Sequence, residues 1–174
     1  MIILSVDPGT YYTGYAIFND VHRHLDNKGV LDYGVIESSD SRLSHRLHNI
    51  RVGIKDLIEK YQVNMLVMES YFFHTNTIQG KYILHAQGVI LEAASEYNID
   101  FDMITPSEVK KYITNNGIAK KDLVKQEIIK IYKEILDKNK FSNINKTDDI
   151  YDAIAIGHTW IYTKLNTYKS KKQI

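Results

Sequence analysis

Two carboxylates stand where a carboxylate is expensive to keep, and a helix could carry two more towards them. Asp7 directly follows the apolar run of residues 2–6, and Glu69 directly follows that of residues 65–68. An acid that ends a buried strand sits at the mouth of the core, where desolvation is costly unless a cation or a donor pairs with it. Two such acids on neighbouring strands would repel each other unless a metal lay between them. A second pair lies in Thr147-Asp148-Asp149-Ile150-Tyr151-Asp152-Ala153. Asp149 and Asp152 share a helical face at i, i+3; Asp148 and Asp152 also share one at i, i+4, so geometry alone permits either pair. Four oxygen donors with no cysteine suit Mg²⁺ or Mn²⁺ better than structural zinc. Two such ions about 4 Å apart can activate a water and stabilise the leaving oxygen of a phosphodiester.

Each acid taken singly has an ordinary explanation. Asp7-Pro8-Gly9 is a common turn sequence, Glu69 could be a salt-bridged strand end, and Asp148 or Asp149 could cap a helix. Those explanations weaken when the four occur together and in this order.

The elements that must position these acids can be read from hydrophobic periodicity. Residues 2–6 and 13–18 form two extended segments around the Pro8-Gly9 turn signal, a hairpin, and 29–36 is a third strand. Apolar residues at helical spacing predict a helix over 41–61. A short apolar strand over 63–68 leads into Glu69, and an amphipathic helix follows over 79–97. Residues 101–104 are a fifth strand, and Pro106 suits the first turn of a helix that Asn115-Asn116-Gly117 ends. Further helices are predicted over 121–136 and 147–165, separated by a polar loop at 137–146. Ala153, Ile154, Ala155 and Ile156 give the last helix an apolar surface for docking on a sheet. Three strands followed by alternating strands and helices predict a mixed sheet covered by helices, in one α/β domain over 1–165 with a basic tail at 166–174.

The 174 residues, 44% of them hydrophobic, suffice for a single core, and the absence of cysteine excludes disulfides and thiolate metal sites. No apolar run approaches a membrane span, and the start lacks the basic region and long apolar stretch of a secretory signal, so a cytoplasmic protein is expected. The net charge of +1 is uninformative, but its distribution is uneven. Residues 164–174 hold four lysines and no acid, and 110–138 hold eight lysines against four acids. Such stretches could follow phosphates, but a solvated helix face and a frayed tail are the simpler explanation and the one favoured on charge alone.

The order of these motifs carries a resemblance. Asp7-Pro8-Gly9-Thr10 with Thr13-Gly14-Tyr15-Ala16, then Met68-Glu69-Ser70, then Thr105-Pro106-Ser107-Glu108-Val109-Lys110 with Gly117-Ile118-Ala119-Lys120-Lys121, and finally Asp149-x-x-Asp152-Ala153-x-Ala155 resemble the RuvC family of Holliday junction resolvases, from residue 1 to about 160. The resemblance implies a ribonuclease H-like mixed five-stranded sheet flanked by helices. It also implies a homodimeric endodeoxyribonuclease that nicks four-way DNA junctions symmetrically. Asp7, Glu69, Asp149 and Asp152 would bind two Mg²⁺ ions, with Mn²⁺ able to substitute. The family places its two helical acids three apart just before the alanine, which assigns Asp149 rather than Asp148. Lys110 and Lys121 would sit near the scissile phosphate, where Lys121 could offset charge on the phosphoryl oxygens. Phe72 and Phe73 match the place of an aromatic wedge at the junction crossover, and their polar neighbours Tyr71, His74, Thr75 and Asn76 favour exposure and base stacking. The helix over 79–97 would be the candidate dimer surface. One departure is the segment 131–146, longer than the family's usual link into the last helix.

Three other functions compete. Another ribonuclease H-like nuclease could use the same acids on other branched DNA or on RNA. An actin-like or sugar-kinase phosphate-binding domain could use Asp7-Pro8-Gly9-Thr10, but such proteins need two domains and 174 residues are too few. A non-catalytic DNA-binding module would not need four converging acids. Histidine adds nothing: His158 falls about two-thirds of a turn from the Asp149–Asp152 face and reads as structural, and His22, His24, His45 and His48 form no ligand set with the acids.

Overall fold

Alternation along the strands decides which face each side chain takes, and so where the acids point. The computed structural model describes residues 1–24, 28–70, 78–136 and 147–172. Strand β1 (Ile2–Asp7) pairs antiparallel with β2 (Tyr12–Asn19), which pairs antiparallel with β3 (Val30–Glu37). On its other side β1 runs parallel to β4 (Met65–Glu69), and β4 parallel to β5 (Asp100–Ile104). The sheet order is β3-β2-β1-β4-β5, the mixed five-stranded sheet expected from the sequence.

Two cores cover the two faces. Leu4 and Val6 of β1 and Leu66 and Met68 of β4 pack against α1 (Leu43–Tyr61) and α2 (Ile78–Glu96). Ile3 of β1 and Met65 and Val67 of β4 pack on the opposite face, with Ile154, Trp160 and Ile161 of α6 (Thr147–Thr163). By the two-residue period, Asp7 and Glu69 belong to this second face.

Helix α6 lies unusually close to the sheet. Ser5 Oγ donates to the Ala153 carbonyl at 2.8 Å. A Cβ on Gly157 would stand 2.3 Å from Phe18 Cε2, and one on Gly14 would stand 2.0 Å from the Asp149 carbonyl oxygen. Glycine at these two positions lets helix and sheet approach, and the contact at Gly14 seats the first turn of α6 on β2. Trp160 Nε1 donates to Asp102 Oδ2 at 2.8 Å, tying the same helix to β5.

Helix α3 (Pro106–Thr114) opens with a capping box. Glu108 N donates to Thr105 Oγ1 at 3.1 Å, and Thr105 N donates to Glu108 Oε2 at 2.7 Å. Asn115, at φ 57°, ends it in the left-handed conformation that asparagine tolerates. The predicted helix over 121–136 is broken: α4 (Lys121–Ile131) stops, and a single turn, α5 (Lys133–Leu136), follows. The intervening Tyr132 is buried, and its hydroxyl meets His158 Nδ1 at 2.7 Å.

The chain end also departs from expectation. Helix α6 stops at Thr163, and residues read as a tail form α7 (Leu165–Lys172). Leu165 is fully buried, Lys169 pairs with buried Asp20, and Lys172 pairs with Asp100. Lys164 Nζ donates to the Met103 carbonyl at 3.1 Å. Three of the four lysines in this stretch therefore serve contacts within the chain. Among the described residues no helix is long and apolar enough to cross a membrane.

Candidate active site

Parallel register brings the first two acids together. Val6 is opposite Met68, so Asp7 and Glu69, the next residues, end adjacent strands side by side. The turn after Asp7 is held by Thr13 Oγ1, which donates to the Gly9 carbonyl at 2.7 Å. Two contacts fix the end of β4: Gln87 Nε2 of α2 donates to the Glu69 carbonyl at 2.7 Å, and Ser70 N donates to the Ile104 carbonyl at 2.9 Å. Asp152 reaches the same place from the second turn of α6. Asp7, Glu69 and Asp152 thus line one cleft of about 240 Å³, with Pro106, Val109 and Lys110 of α3 and Lys121 and Val124 of α4 as its other wall.

The acids feel each other strongly. Burial, then Asp152, Glu69 and Asp149 in turn, raise the Asp7 carboxyl well above the usual carboxylate range. Burial and the charge of Asp152 push Glu69 up to about 7. Burial also raises Asp149 and Asp152, against the lowering effect of Lys121. Asp149 does not line the cleft itself, but its charge acts on Asp7. Lys121 Nζ lies 2.5 Å from Asp152 Oδ2. Burial alone would lower this lysine, but the bond to Asp152 and the charges of Asp152, Asp7 and Asp149 outweigh it and raise its pKa.

Asp148 faces elsewhere. Its Oδ1 accepts from Lys125 Nζ at 2.6 Å, and its side chain is 57% exposed. His158 is also remote from the acids, buried among Tyr112, Tyr132 and Tyr162, with burial lowering it to about 4. Phe72 and Phe73 lie outside the described residues.

A site of clustered, desolvated carboxylates with raised pKa values gains most from cations, and its donors are all hard oxygens. Divalent metal ions of the Mg²⁺ class fit that donor set in kind. Among the described residues, however, no three acids or histidines form a ready-made metal cage.

Sequence reasoning named the acids and both lysines of this cleft but missed its supports. Pro106 and Val109 stand in the motif over 105–110 with no role in the cleft read from it, and Val124, and Gln87 behind Glu69, carry no chemical signature of their own. Gly14 had a signal, its place in Thr13-Gly14-Tyr15-Ala16, but its contact with Asp149 spans more than a hundred residues.

The family model described as "Crossover junction endodeoxyribonuclease RuvC" matches residues 3–160. A protein of that name from Dictyoglomus thermophilum is 35% identical over 163 residues, covering 93% of this chain and 97% of its own. Another from Alkaliphilus metalliredigens is 35% identical over 158 residues and covers 90% of each chain. The structure of T. thermophilus RuvC in complex with Holliday junction substrate superposes with a TM-score of 0.73 over 96% of this chain and 97% of that one; at 19% identity this likeness speaks for the ribonuclease H-like fold alone. Matched over nearly its whole length by the family model and by relatives of its own size, the chain belongs to the RuvC family of crossover junction endodeoxyribonucleases.

Proposed function

We propose that this chain is a structure-selective endodeoxyribonuclease that resolves four-way DNA junctions by paired, symmetric nicks, using a divalent metal. The observation that carries the reading is the convergence of Asp7, Glu69 and Asp152 in one cleft faced by Lys110 and Lys121, in a chain of the RuvC family. Asp7, Glu69, Asp149 and Asp152 would hold two Mg²⁺ ions, with Mn²⁺ as a substitute. When bound, such ions supply a nucleophilic water at neutral pH and stabilise both the attacking and the leaving oxygens.

The chain's own groups do the rest. Asp7 and Glu69, fixed on adjacent strand ends, set the floor against which the scissile phosphodiester is presented. Asp149 and Asp152 enter from α6 and are positioned by its close docking on β2. Lys121 places a cation over the phosphoryl oxygens as charge builds there, and Lys110 guides the same phosphate. Val109 and Val124 give one side of the cleft an apolar wall. Phe72 and Phe73 would stack on bases at the crossover. Two such sites in a homodimer would meet the two-fold symmetric junction, and the protein would act in the cytoplasm.

The test is a cleavage panel of labelled four-way, three-way, flap, linear duplex and RNA–DNA substrates with Mg²⁺ and with EDTA. Metal-dependent cleavage that favours the four-way junction is expected. Preference for flaps or for RNA–DNA would make the chain a ribonuclease H-like nuclease of another specificity. Binding without cleavage of any substrate would make it a DNA-binding module.

A further inference from the structure

Lys121 is paired with one of the acids that a metal would need. Its Nζ is 2.5 Å from Asp152 Oδ2, and Asp152 is only 22% exposed there. Among the described residues no other cation is paired with Asp7, Glu69, Asp149 or Asp152, whereas the neighbouring Asp148 has its own partner in Lys125. Lys121 is therefore the cation in direct contact with the cluster, and Asp7, Asp149 and Asp152 all act on it, while Lys110 acts on Glu69 from a greater distance.

It is also free to leave. Lys121 is the first residue of α4, and that helix is anchored by buried Val124 and Ile128. The Lys121 side chain itself is 57% exposed. Four methylenes give it a wide arc that does not disturb the helix.

We propose that Lys121 is a displaceable counter-ion: it holds Asp152 while the site is unloaded, and divalent-ion uptake moves it onto the substrate phosphate. The inference rests on the metal-dependent reading above. An ammonium and a divalent ion on one carboxylate repel each other, and each draws the oxygens' charge away from the other, so the pair gives way to the ion. Uptake at Asp152 therefore breaks the pair, and the released ammonium faces the cleft in which the scissile phosphate lies. Binding of that phosphate to Lys121 breaks the same pair. When both ligands are bound the pair is broken once rather than twice, so each favours the other, and by linkage the effect is mutual. Lys121 thereby couples charging of the metal site to engagement of DNA and keeps the site quiet when only one is present.

The experiment measures Mn²⁺ binding by calorimetry on the full chain without DNA, for wild type, Lys121→Gln, Lys121→Arg and Lys110→Gln. Lys110 lines the same cleft, so its removal controls for the loss of one positive charge. Removing the competitor should tighten Mn²⁺ binding by about 5-fold, the scale of a favourable exposed ion pair. Lys121→Arg, which can still pair with Asp152, should stay near wild type, and Lys110→Gln should tighten binding less than Lys121→Gln. Melting curves supply a second readout. Without metal Lys121→Gln should melt below wild type, and saturating Mn²⁺ should narrow or reverse the gap. If wild type binds Mn²⁺ but Lys121→Gln binds it equally or more weakly, or if Lys110→Gln tightens binding as much, the counter-ion role is wrong while the metal reading stands. If wild type binds no Mn²⁺ at millimolar concentration, both fall.

Discussion

At the scale of single residues, side-chain partners separate acids that look alike in sequence. Asp148, Asp149 and Asp152 occupy one turn and a half of α6, yet Asp148 turns out to Lys125 while Asp152 turns into the cleft. We expect Asp149→Asn to lose strand cleavage with little loss of stability. Asp148→Asn should keep most cleavage and lose under about 1 kcal/mol, as for an exposed ion pair. Gel assays and urea unfolding of both variants check this, and the reverse pattern would move the ligand register by one residue. Glu69 offers a pH test. Its pKa of about 7 in the folded protein lies above the ordinary 4.5, so the folded chain binds the extra proton between those values. Its charge therefore destabilises the fold above about pH 7, and that cost fades as pH falls. In EDTA at pH 8, Glu69→Gln should be more stable than wild type by about 1–3 kcal/mol, and the gain should vanish toward pH 4.5. Saturating Mg²⁺ should remove or reverse it. The strand-end acids were legible because an acid closing an apolar run violates burial rules. The hold of Lys121 on Asp152 was not, because no rule of spacing links residues thirty-one positions apart.

At the scale of elements, strand periodicity made the sheet legible, and with it the face on which Asp7 and Glu69 project. The break at Tyr132 was hidden, because the 3.6-residue pattern continues through it. At the break Tyr132 is buried and its hydroxyl meets His158, a tertiary contact that no local pattern announces. Helix α7 was hidden for a similar reason: its sequence has no apolar stripe beyond Leu165 and Tyr168, and it is held by Asp20 and Asp100 from distant strands and turns. Docking of α6 is the contact on which the site depends. Gly14→Ala would put a methyl 2.0 Å from the Asp149 carbonyl and push the start of α6 outward. A displacement of about 1 Å at a catalytic group can cost on the order of 10²-fold in rate. We expect a loss of that size in single-turnover cleavage, with a fold still cooperative by circular dichroism; near-normal cleavage would show that α6 is not what sets the geometry. His158 provides a stability marker for the other end of α6. Burial holds it near 4, below the ordinary 6.5, so the unfolded chain takes the proton first and stability falls as pH drops between those values. Wild type should lose about 2–3 kcal/mol more than His158→Gln between pH 6.5 and 4.5, measured by urea unfolding.

At the scale of the whole molecule, the proposed function calls for two copies and one branched substrate. A two-fold junction cut symmetrically needs two sites related by two-fold symmetry, so the active species should be a dimer by light scattering. A monomer fully active at micromolar concentration would contradict that assembly. The central claim is narrower: the cluster around Asp7 performs metal-dependent hydrolysis and is not merely a binding surface. Asp7 is raised by burial and by all three of its acidic neighbours, Asp152, Glu69 and Asp149, so its replacement reads the cluster's chemistry directly. The most direct measurement compares wild type and Asp7→Asn on a labelled immobile four-way junction with Mg²⁺, reading cleavage and binding on the same samples. Wild type should give paired nicks at symmetric positions, whereas Asp7→Asn should give none yet bind the junction as tightly or more tightly, because one negative charge near the phosphate is gone. Cleavage by Asp7→Asn at near the wild-type rate would contradict the account.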